Sequence, residues 1–217
     1  MTFLRLKVFI LSAFLLMGAC LCGPGASLAA PSQARQELER TINDVLAELK
    51  KPELKKPATR DAVLARVERI IDRLFSFEEL SARTVGANWR NFTPDQQKRF
   101  IDVFTTLLRE TYLEKLDGYS GEIVTYLSET SSTSGDKVEI STTVTIKGTP
   151  VPVAYRMLKK NQWKVYDVII EGVSLVQNYR SQFQQVLVSG DAEKLITQVR
   201  AKAEEARAHN KKLQLGS

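Results

Sequence analysis

The sequence contains few of the side chains that metal sites and many active sites use. Among 217 residues there are two cysteines and one histidine. Both cysteines, Cys20 and Cys22, precede a small-residue stretch that predicts cleavage after Ala29 or Ala30. The mature chain is therefore expected to hold no thiol, disulfide or thiolate metal site. Because His209 lies in a polar C-terminal segment, histidine catalysis and metal binding are not expected either, and we predict no cofactor.

Nucleophile and phosphate-loop motifs are also missing. The run Gly172-Val173-Ser174 has no second glycine where a nucleophile elbow requires one, and no glycine run matches a phosphate-binding loop. Asp167 and Glu171 are two acids at even spacing near one strand end, and paired acids can do acid–base work. A solvated strand end, or ion pairing to Arg156 or Arg180, is the favoured alternative. On residues alone, an enzyme is the weaker hypothesis.

No apolar run reaches the roughly 20 residues that a membrane span requires. Arg5 and Lys7 precede a shorter apolar run and then small residues, which predicts a signal peptide over residues 1–29. Residues 30–208 are then the folded domain, and residues 209–217 are a flexible tail.

The sequence around Cys20 and the distribution of charge each allow two interpretations. The run ending at Cys20 loosely resembles a lipobox, so a lipid anchor through that cysteine is the alternative to simple secretion. Without the two basic residues of the predicted leader, the net charge of +6 becomes 29 minus 25, or +4, and is spread along the chain. This suits either weak attraction to anionic surfaces or an ordinary solvated exterior. Basic and aromatic residues do not interleave as a nucleic-acid platform requires, so no nucleic-acid partner is predicted.

The periodicity of apolar residues changes once along the chain, at Gly121. Before it the spacing is helical, and after it four short segments alternate apolar with polar residues. Short turns between them favour an antiparallel meander. The predicted fold class is α+β, with a twisted antiparallel four-stranded sheet packed with several helices before and after it. The predicted helices are 34–49, 59–74, 76–85, 93 to about 118, and two after Ser174 that end near Arg207; the predicted strands are 122–128, 138–147, 151–157 and 163–170.

The last predicted strand and its neighbours are unusually apolar. The run VYDVIIEGVSL at 165–175 places apolar side chains on both faces of a strand. These apolar side chains could fill an ordinary core or line a cavity for an apolar ligand. Ligand pockets are mostly apolar with a few polar groups at the rim. The residues alone leave both possibilities open.

Several motifs along the chain point together to one known family. They are FSFEELS at 75–81, VGANWR at 85–90, TPDQQKRF at 93–100, Thr111-Tyr112, WKVYDVIIEGVSLV at 163–176, NYRSQF at 178–183 and Gly190. Over about residues 35–200 the chain thus resembles the MlaC (toluene-tolerance) family of periplasmic phospholipid-binding proteins.

This resemblance implies a periplasmic, non-enzymatic carrier that holds phospholipid acyl chains in a cavity between its sheet and helices. It implies exchange of lipid with an inner-membrane Mla ABC transporter complex, through an MlaD-type component, and with an outer-membrane MlaA–porin-type complex. The implied role is intermembrane lipid transport and outer-membrane lipid asymmetry. A hopanoid-associated branch of the family leaves a sterol-like ligand as an alternative.

The predicted lipid-binding residues rest on the apolar pattern together with the resemblance. They are Phe104, Leu107 and Leu108 on the long helix, Val144, Ile146, Val153, Tyr155, Val168 and Ile170 on the sheet, and Val173, Val176 and Phe183 near a closing helix. The weaker candidates for a headgroup rim are Arg90, Arg156 and Arg180.

Two hypotheses from other classes compete with a carrier. A small NTF2-like α+β enzyme would use an acid such as Asp167 as its base, buried inside a deep cone of sheet. A non-carrier interaction module would have a filled core and no cavity.

Overall fold

The structure, a computed structural model, describes residues 30–112, 121–188 and 191–216. The predicted signal peptide, Cys20, the predicted end of the long helix near Gly118 and the motif residue Gly190 lie outside these ranges. Within them no helix is both long and apolar enough to cross a membrane.

The helices are α1 (Gln33–Leu49), α2 (Pro57–Leu74), α3 (Phe77–Val85), α4 (Pro94–Tyr112), α5 (Leu175–Leu187) and α6 (Ala192–Gly216), with 3-10 helices at Pro52–Lys55 and Gly86–Asn91. The strands are β1 (Ile123–Ser131), β2 (Lys137–Ile146), β3 (Thr149–Lys159), β4 (Trp163–Ile170) and β5 (Val173–Ser174).

Local capping signals fix the starts of the helices that surround the sheet. At α4 the Gln96 amide donates to Thr93 Oγ1 over 3.2 Å, and the Thr93 amide donates to Gln96 Oε1 over 2.9 Å. Ser76 Oγ accepts the Glu79 amide at the start of α3, and Ser174 Oγ accepts the Gln177 amide at the start of α5. These contacts satisfy amides that a helix leaves unpaired at its N-terminus. The predicted starts of all three helices are confirmed.

The sheet is an antiparallel meander in the order β1-β2-β3-β4-β5. Two of its turns are two-residue hairpins, Lys147-Gly148 and Glu171-Gly172, and all four residues have positive φ. Such turns match the twist of the flanking strands. The α+β class is confirmed, with two differences: the turn after β2 lies at Lys147-Gly148 rather than at 148–150, and the second hairpin adds the two-residue strand β5 to the four that were predicted.

A β-bulge explains why β4 is apolar at both odd and even positions. Val165 pairs with Met157 and Asp167 pairs with Arg156, so Tyr166 is an extra residue between two consecutive pairs. An extra residue shifts the alternation of side chains by one. The apolar side chains on either side of the bulge therefore share one core, which contains Trp163, Val165, Val168 and Ile170.

The described residues form three hydrophobic clusters. The helical core joins α3, α4, α5 and α6 around an aromatic group that includes Phe100, Phe104 and Phe183. The sheet core joins α1 to the inner side of the sheet. A small third cluster, the hairpin cluster, packs Leu49 and Leu54 against Val63 and Val67 between α1 and α2. A cavity lies where the sheet core and the helical core meet.

The C-terminal helix α6 packs along α4 and extends beyond its predicted end at Arg207 to Gly216. Asn210 Nδ2 donates to the Glu110 carbonyl over 2.8 Å, and Arg207 Nε donates to the Glu110 carboxylate over 2.8 Å. These contacts continue the helix through part of the segment that the sequence predicts to be a frayed tail.

A second tie between α4 and α6 makes a pH-dependent contribution to stability. Glu193 accepts two hydrogen bonds from Arg99, at 2.6 and 2.8 Å, and one from Gln96 at 3.0 Å. The Arg99 guanidinium, followed by Gln96, lowers the pKa of Glu193 from 4.5 to about 2. Because this pKa is depressed in the folded state, the tie stabilises the fold above pH 4.5 and is lost as the pH falls toward 2.

Titration of the Glu193 side-chain carbonyl carbon by NMR is expected to show a midpoint near pH 2. Substitution Arg99→Gln is expected to return that midpoint toward 4.5, since it removes the largest cause of the shift. A midpoint near 4.5 in the unsubstituted protein would show that the tie does not form in solution.

Candidate functional site: an apolar cavity with a charged mouth

A cavity of about 330 Å³ opens between the helices and the inner side of the sheet. Its walls come from the ends of α2 and α4, from α3, from β3 and β4, and from the first residue of α5. The lining is mostly apolar and consists of Glu68, Ile71, Asp72, Phe75, Phe77, Leu80, Leu108, Arg109, Tyr112, Tyr155, Val168, Ile170 and Leu175. Its volume lies at the lower end of the range of small-molecule sites, about 300–1,000 Å³.

The connection between α2 and α3 supplies one wall because it is bonded to the sheet. The Ser76 amide donates to the Val165 carbonyl over 2.9 Å, and Phe75 bridges to Val165 of β4. The rings of Phe75 and Phe77 stack with centroids 5.8 Å apart. The backbone contact therefore fixes two aromatic side chains at the cavity.

The polar lining residues are few and are carried by α2, α4 and β3. Arg109 Nη2 lies 2.8 Å from both carboxylate oxygens of Asp72, and its guanidinium lies 5.9 Å from the centre of the Phe77 ring. Burial raises the pKa of Tyr155 to about 12 and also raises the pKa of Tyr112. Both phenols therefore stay protonated at neutral pH, and each has a hydrogen-bond partner in the protein, Tyr179 for Tyr112 and Thr142 for Tyr155.

Four of the predicted lipid-binding residues line this cavity. They are Leu108, Tyr155, Val168 and Ile170. They come from three different elements, α4, β3 and β4, which the meander and the α4 packing bring to one place. Their contact with lipid remains a prediction.

The other eight predicted residues lie elsewhere. Phe104, Leu107, Val176 and Phe183 belong to the helical core, and Val153 and Val144 belong to or pack on the sheet core. Ile146 and Val173 are 41% and 58% exposed at strand ends. Helix α5 does not close the cavity beyond its first residue, because its buried side is occupied by packing within the helical core.

The three predicted rim arginines are not at the cavity. Arg156 pairs with Glu139 over 2.8 Å, and Arg180 donates from Nε to the Arg83 carbonyl over 2.9 Å. Arg90 is exposed on the 3-10 helix after α3. Arg109, which the sequence analysis did not single out, occupies the mouth instead.

The lining residues that sequence reasoning missed lie mainly at the ends of elements. They are Glu68, Ile71, Asp72, Phe75, Phe77, Leu80, Arg109, Tyr112 and Leu175. Phe75, Phe77 and Leu80 stand in the FSFEELS motif, and Ile71 stands on the apolar stripe of α2. These two sequence features could have identified the four residues as cavity residues. No feature of the neighbouring sequence shows that Asp72 and Arg109 come into contact.

Asp167 is buried, but its carboxylate is engaged outside the cavity lining. It accepts hydrogen bonds from Ser174 Oγ at 2.7 Å, the Val176 amide at 3.1 Å and Arg156 Nη1 at 3.3 Å. The expected ion pair with Arg156 is present, whereas the expected solvated strand end is wrong because Asp167 is only 2% exposed. The carboxylate joins β4 to the start of α5. Glu171 does not share its face, since the strand ends before Glu171 turns to positive φ.

No group of three or more histidine, cysteine, aspartate or glutamate side chains within the described ranges is arranged to hold a metal ion. Fold and cavity together define a small α+β ligand-binding domain, whose cavity suits an amphiphile with apolar chains and a polar end. The chain belongs to the MlaC protein family, which its residues 39–201 match.

Individual relatives agree with this assignment at low identity. The intermembrane phospholipid transport system binding protein MlaC of Haemophilus influenzae is 22% identical over 133 residues, which cover 59% of this chain and 62% of that protein. This alignment thus spans less than two thirds of that relative's length. The toluene tolerance protein ttg2D of Pseudomonas putida is 24% identical over 153 residues, which cover 69% of this chain and 71% of that protein.

A solved structure shows the same fold. The phospholipid-binding protein from Ralstonia solanacearum, determined in complex with a phospholipid, superposes with a TM-score of 0.72 and 28% sequence identity. The match covers 81% of this chain and 99% of that one.

Proposed function

We propose that this protein binds a phospholipid with its acyl chains in the cavity and its headgroup at the mouth beside Arg109 and Asp72. The observation that best supports this proposal is the cavity itself, which has an apolar interior and charged groups at its edge. The similar Ralstonia solanacearum protein, crystallised with a phospholipid, supports the same ligand class.

The energetics favour long chains as the ligand. Each methylene group buried from water contributes about 0.8 kcal/mol, while association costs about 4–15 kcal/mol in lost freedom. A short chain of about five methylenes barely offsets the low end of that cost. Long acyl chains, one or more to a ligand, exceed that cost, so the cavity can hold a lipid against loss to water. Because the bilayer also keeps the chains from water, this term changes little when a lipid moves between the two.

The proposed role is that of a periplasmic carrier. It takes lipid from or delivers it to an inner-membrane Mla ABC transporter complex, through an MlaD-type component, and exchanges it with an outer-membrane MlaA–porin-type complex. The predicted signal peptide at 1–29 and the names of the relatives support this role. The carrier performs no covalent chemistry, and Asp167 serves as a structural link rather than as a base.

Protein purified without added lipid is expected to contain bound phospholipid, detected by native mass spectrometry and identified by solvent extraction. Ligand-free protein is expected to take up phospholipid from vesicles. The identity of the extracted lipid separates a phospholipid from a sterol-like ligand. Recovery of ligand-free protein alone, with no uptake from vesicles, would contradict the proposal and favour a non-carrier interaction module.

A further inference from the structure

The mouth of the cavity carries an uneven set of charges. Glu68 and Asp72 lie four residues apart on α2, so both side chains occupy the same face of the helix. Arg109 on α4 completes the set, and all three line the cavity. Among the lining residues, which are all within the described ranges, there are thus two carboxylates and one guanidinium.

The ion pair at the mouth uses only part of the guanidinium. Both hydrogen bonds to Asp72 come from Nη2, while Nε and Nη1 donate to no residue within the part of the chain that the structure describes. The side chains are 36% and 40% exposed, so an incoming group can reach them. Asp72 and the Phe77 ring hold the guanidinium in place, and its remaining N–H groups suit the oxygens of a phosphate.

Glu68 differs from Asp72 in its contacts. It forms no ion pair and no hydrogen bond with the residues that the structure describes, although its side chain is half-buried at the cavity. With Asp72 neutralised by Arg109, the described lining residues keep one net negative charge, at Glu68. A carboxylate in this position attracts a cationic group and repels a second anionic one.

We propose that the mouth selects zwitterionic phospholipids, with Arg109 donating to the phosphate and Glu68 pairing with the ammonium group that follows it. This inference rests on the proposed function and names the headgroup class. A phosphate joined by a short spacer to an ammonium group matches one guanidinium beside one unpaired carboxylate. An anionic headgroup such as glycerol phosphate meets the same Arg109 but gains nothing from Glu68.

The test presents the ligand-free protein with vesicles that contain phosphatidylethanolamine and phosphatidylglycerol in equal amounts with identical acyl chains. Native mass spectrometry then gives the ratio of the two bound lipids. The unsubstituted protein is expected to favour phosphatidylethanolamine by about two- to fivefold, the size of a half-exposed ion pair. Glu68→Gln is expected to bring the ratio to about one, with total uptake unchanged.

Two further variants separate the mouth from other effects. Glu37→Gln removes the same charge from a half-buried glutamate of α1 outside the cavity lining, and is expected to leave the ratio unchanged. The double variant Arg109→Gln with Asp72→Asn removes the pair without leaving either charge alone. It is expected to lower the uptake of both phospholipids about two- to fivefold relative to diacylglycerol of the same chains.

Each adverse outcome is distinct. If no lipid enters any variant, the proposed function itself fails. If both phospholipids enter the unsubstituted protein equally, or if Glu37→Gln shifts the ratio as Glu68→Gln does, headgroup selection at the mouth is wrong while lipid binding stands. Soluble glycerophosphoethanolamine, which has the headgroup without chains, is expected not to displace bound lipid; displacement would assign the mouth to a free headgroup compound and overturn the lipid assignment.

Discussion

Substitution Ile170→Glu is expected to lower phospholipid uptake by about tenfold or more while the protein still unfolds cooperatively. Ile170 lies at the end of β4, half-buried and facing the cavity. In the ligand-free protein the new carboxylate can stay hydrated, because the cavity is open. Acyl chains that fill the cavity would have to displace that water and leave a charge without a partner, which is costly. Uptake from vesicles, measured beside a urea unfolding curve, gives both quantities.

The control for this variant is Leu127→Glu. Leu127 is a 60% exposed aliphatic residue on the edge strand of the same sheet and does not line the cavity. The substitution Leu127→Glu adds the same charge, and its phospholipid uptake is expected to stay unchanged. If both variants took up as much lipid as the unsubstituted protein, the lipid would bind somewhere other than this cavity.

The second large effect is on stability. Phe104→Ala is expected to lower the free energy of unfolding by about 3–5 kcal/mol, the usual cost of emptying a buried aromatic site. Phe104 is fully buried, and its ring centre lies 4.9 Å from that of Tyr179 and 5.3 Å from that of Phe183. Its surroundings belong to the helical core, so the folded fraction of the variant is expected to take up lipid normally. Urea titration and lipid uptake per folded molecule check the two statements.

Substitution Phe77→Ala is expected to have the opposite balance of effects, a small loss of stability and a large loss of lipid uptake. Phe77 is half-buried, lines the cavity and packs against Phe75. Its loss is expected to cost about 1–2 kcal/mol of stability but to reduce lipid uptake more than Phe104→Ala does. If Phe104→Ala abolished uptake with little loss of stability, Phe104 would be a lipid contact, as the apolar pattern first suggested.

The helix starts were predictable from sequence because the capping interactions are local. Thr93 and Gln96, or Ser174 and Gln177, are three residues apart, and their hydrogen bonds do not depend on the rest of the fold. The order of the strands followed in the same way from short turns. The predictions that rested on three or four neighbouring residues are therefore the ones that the structure bears out in most detail.

The cavity required information that local patterns do not contain. The bulge at Tyr166 moves Val168 and Ile170 to the same side as Val165, and alternation alone gives no sign of it. Arg109 meets Asp72 across 37 positions of sequence, a pairing that only the packing of α2 beside α4 creates. For the same reason buried residues of α5 looked like cavity residues: periodicity shows that a face is apolar but not which neighbour covers it.

The separate hairpin cluster between α1 and α2 has a consequence for how a ligand enters. Leu49, Leu54, Val63 and Val67 form a nucleus much smaller than the aromatic one on the far side of the cavity. Regions with few buried apolar side chains undergo local unfolding at a lower free energy than the protein as a whole. Of the cavity-lining residues, Ile71 packs against this small cluster, while Leu108 belongs to the aromatic one. We therefore expect the cavity to open locally at a lower free energy on the Ile71 side than on the Leu108 side, while the α2–α3 connection stays bonded to β4 through the Ser76 amide.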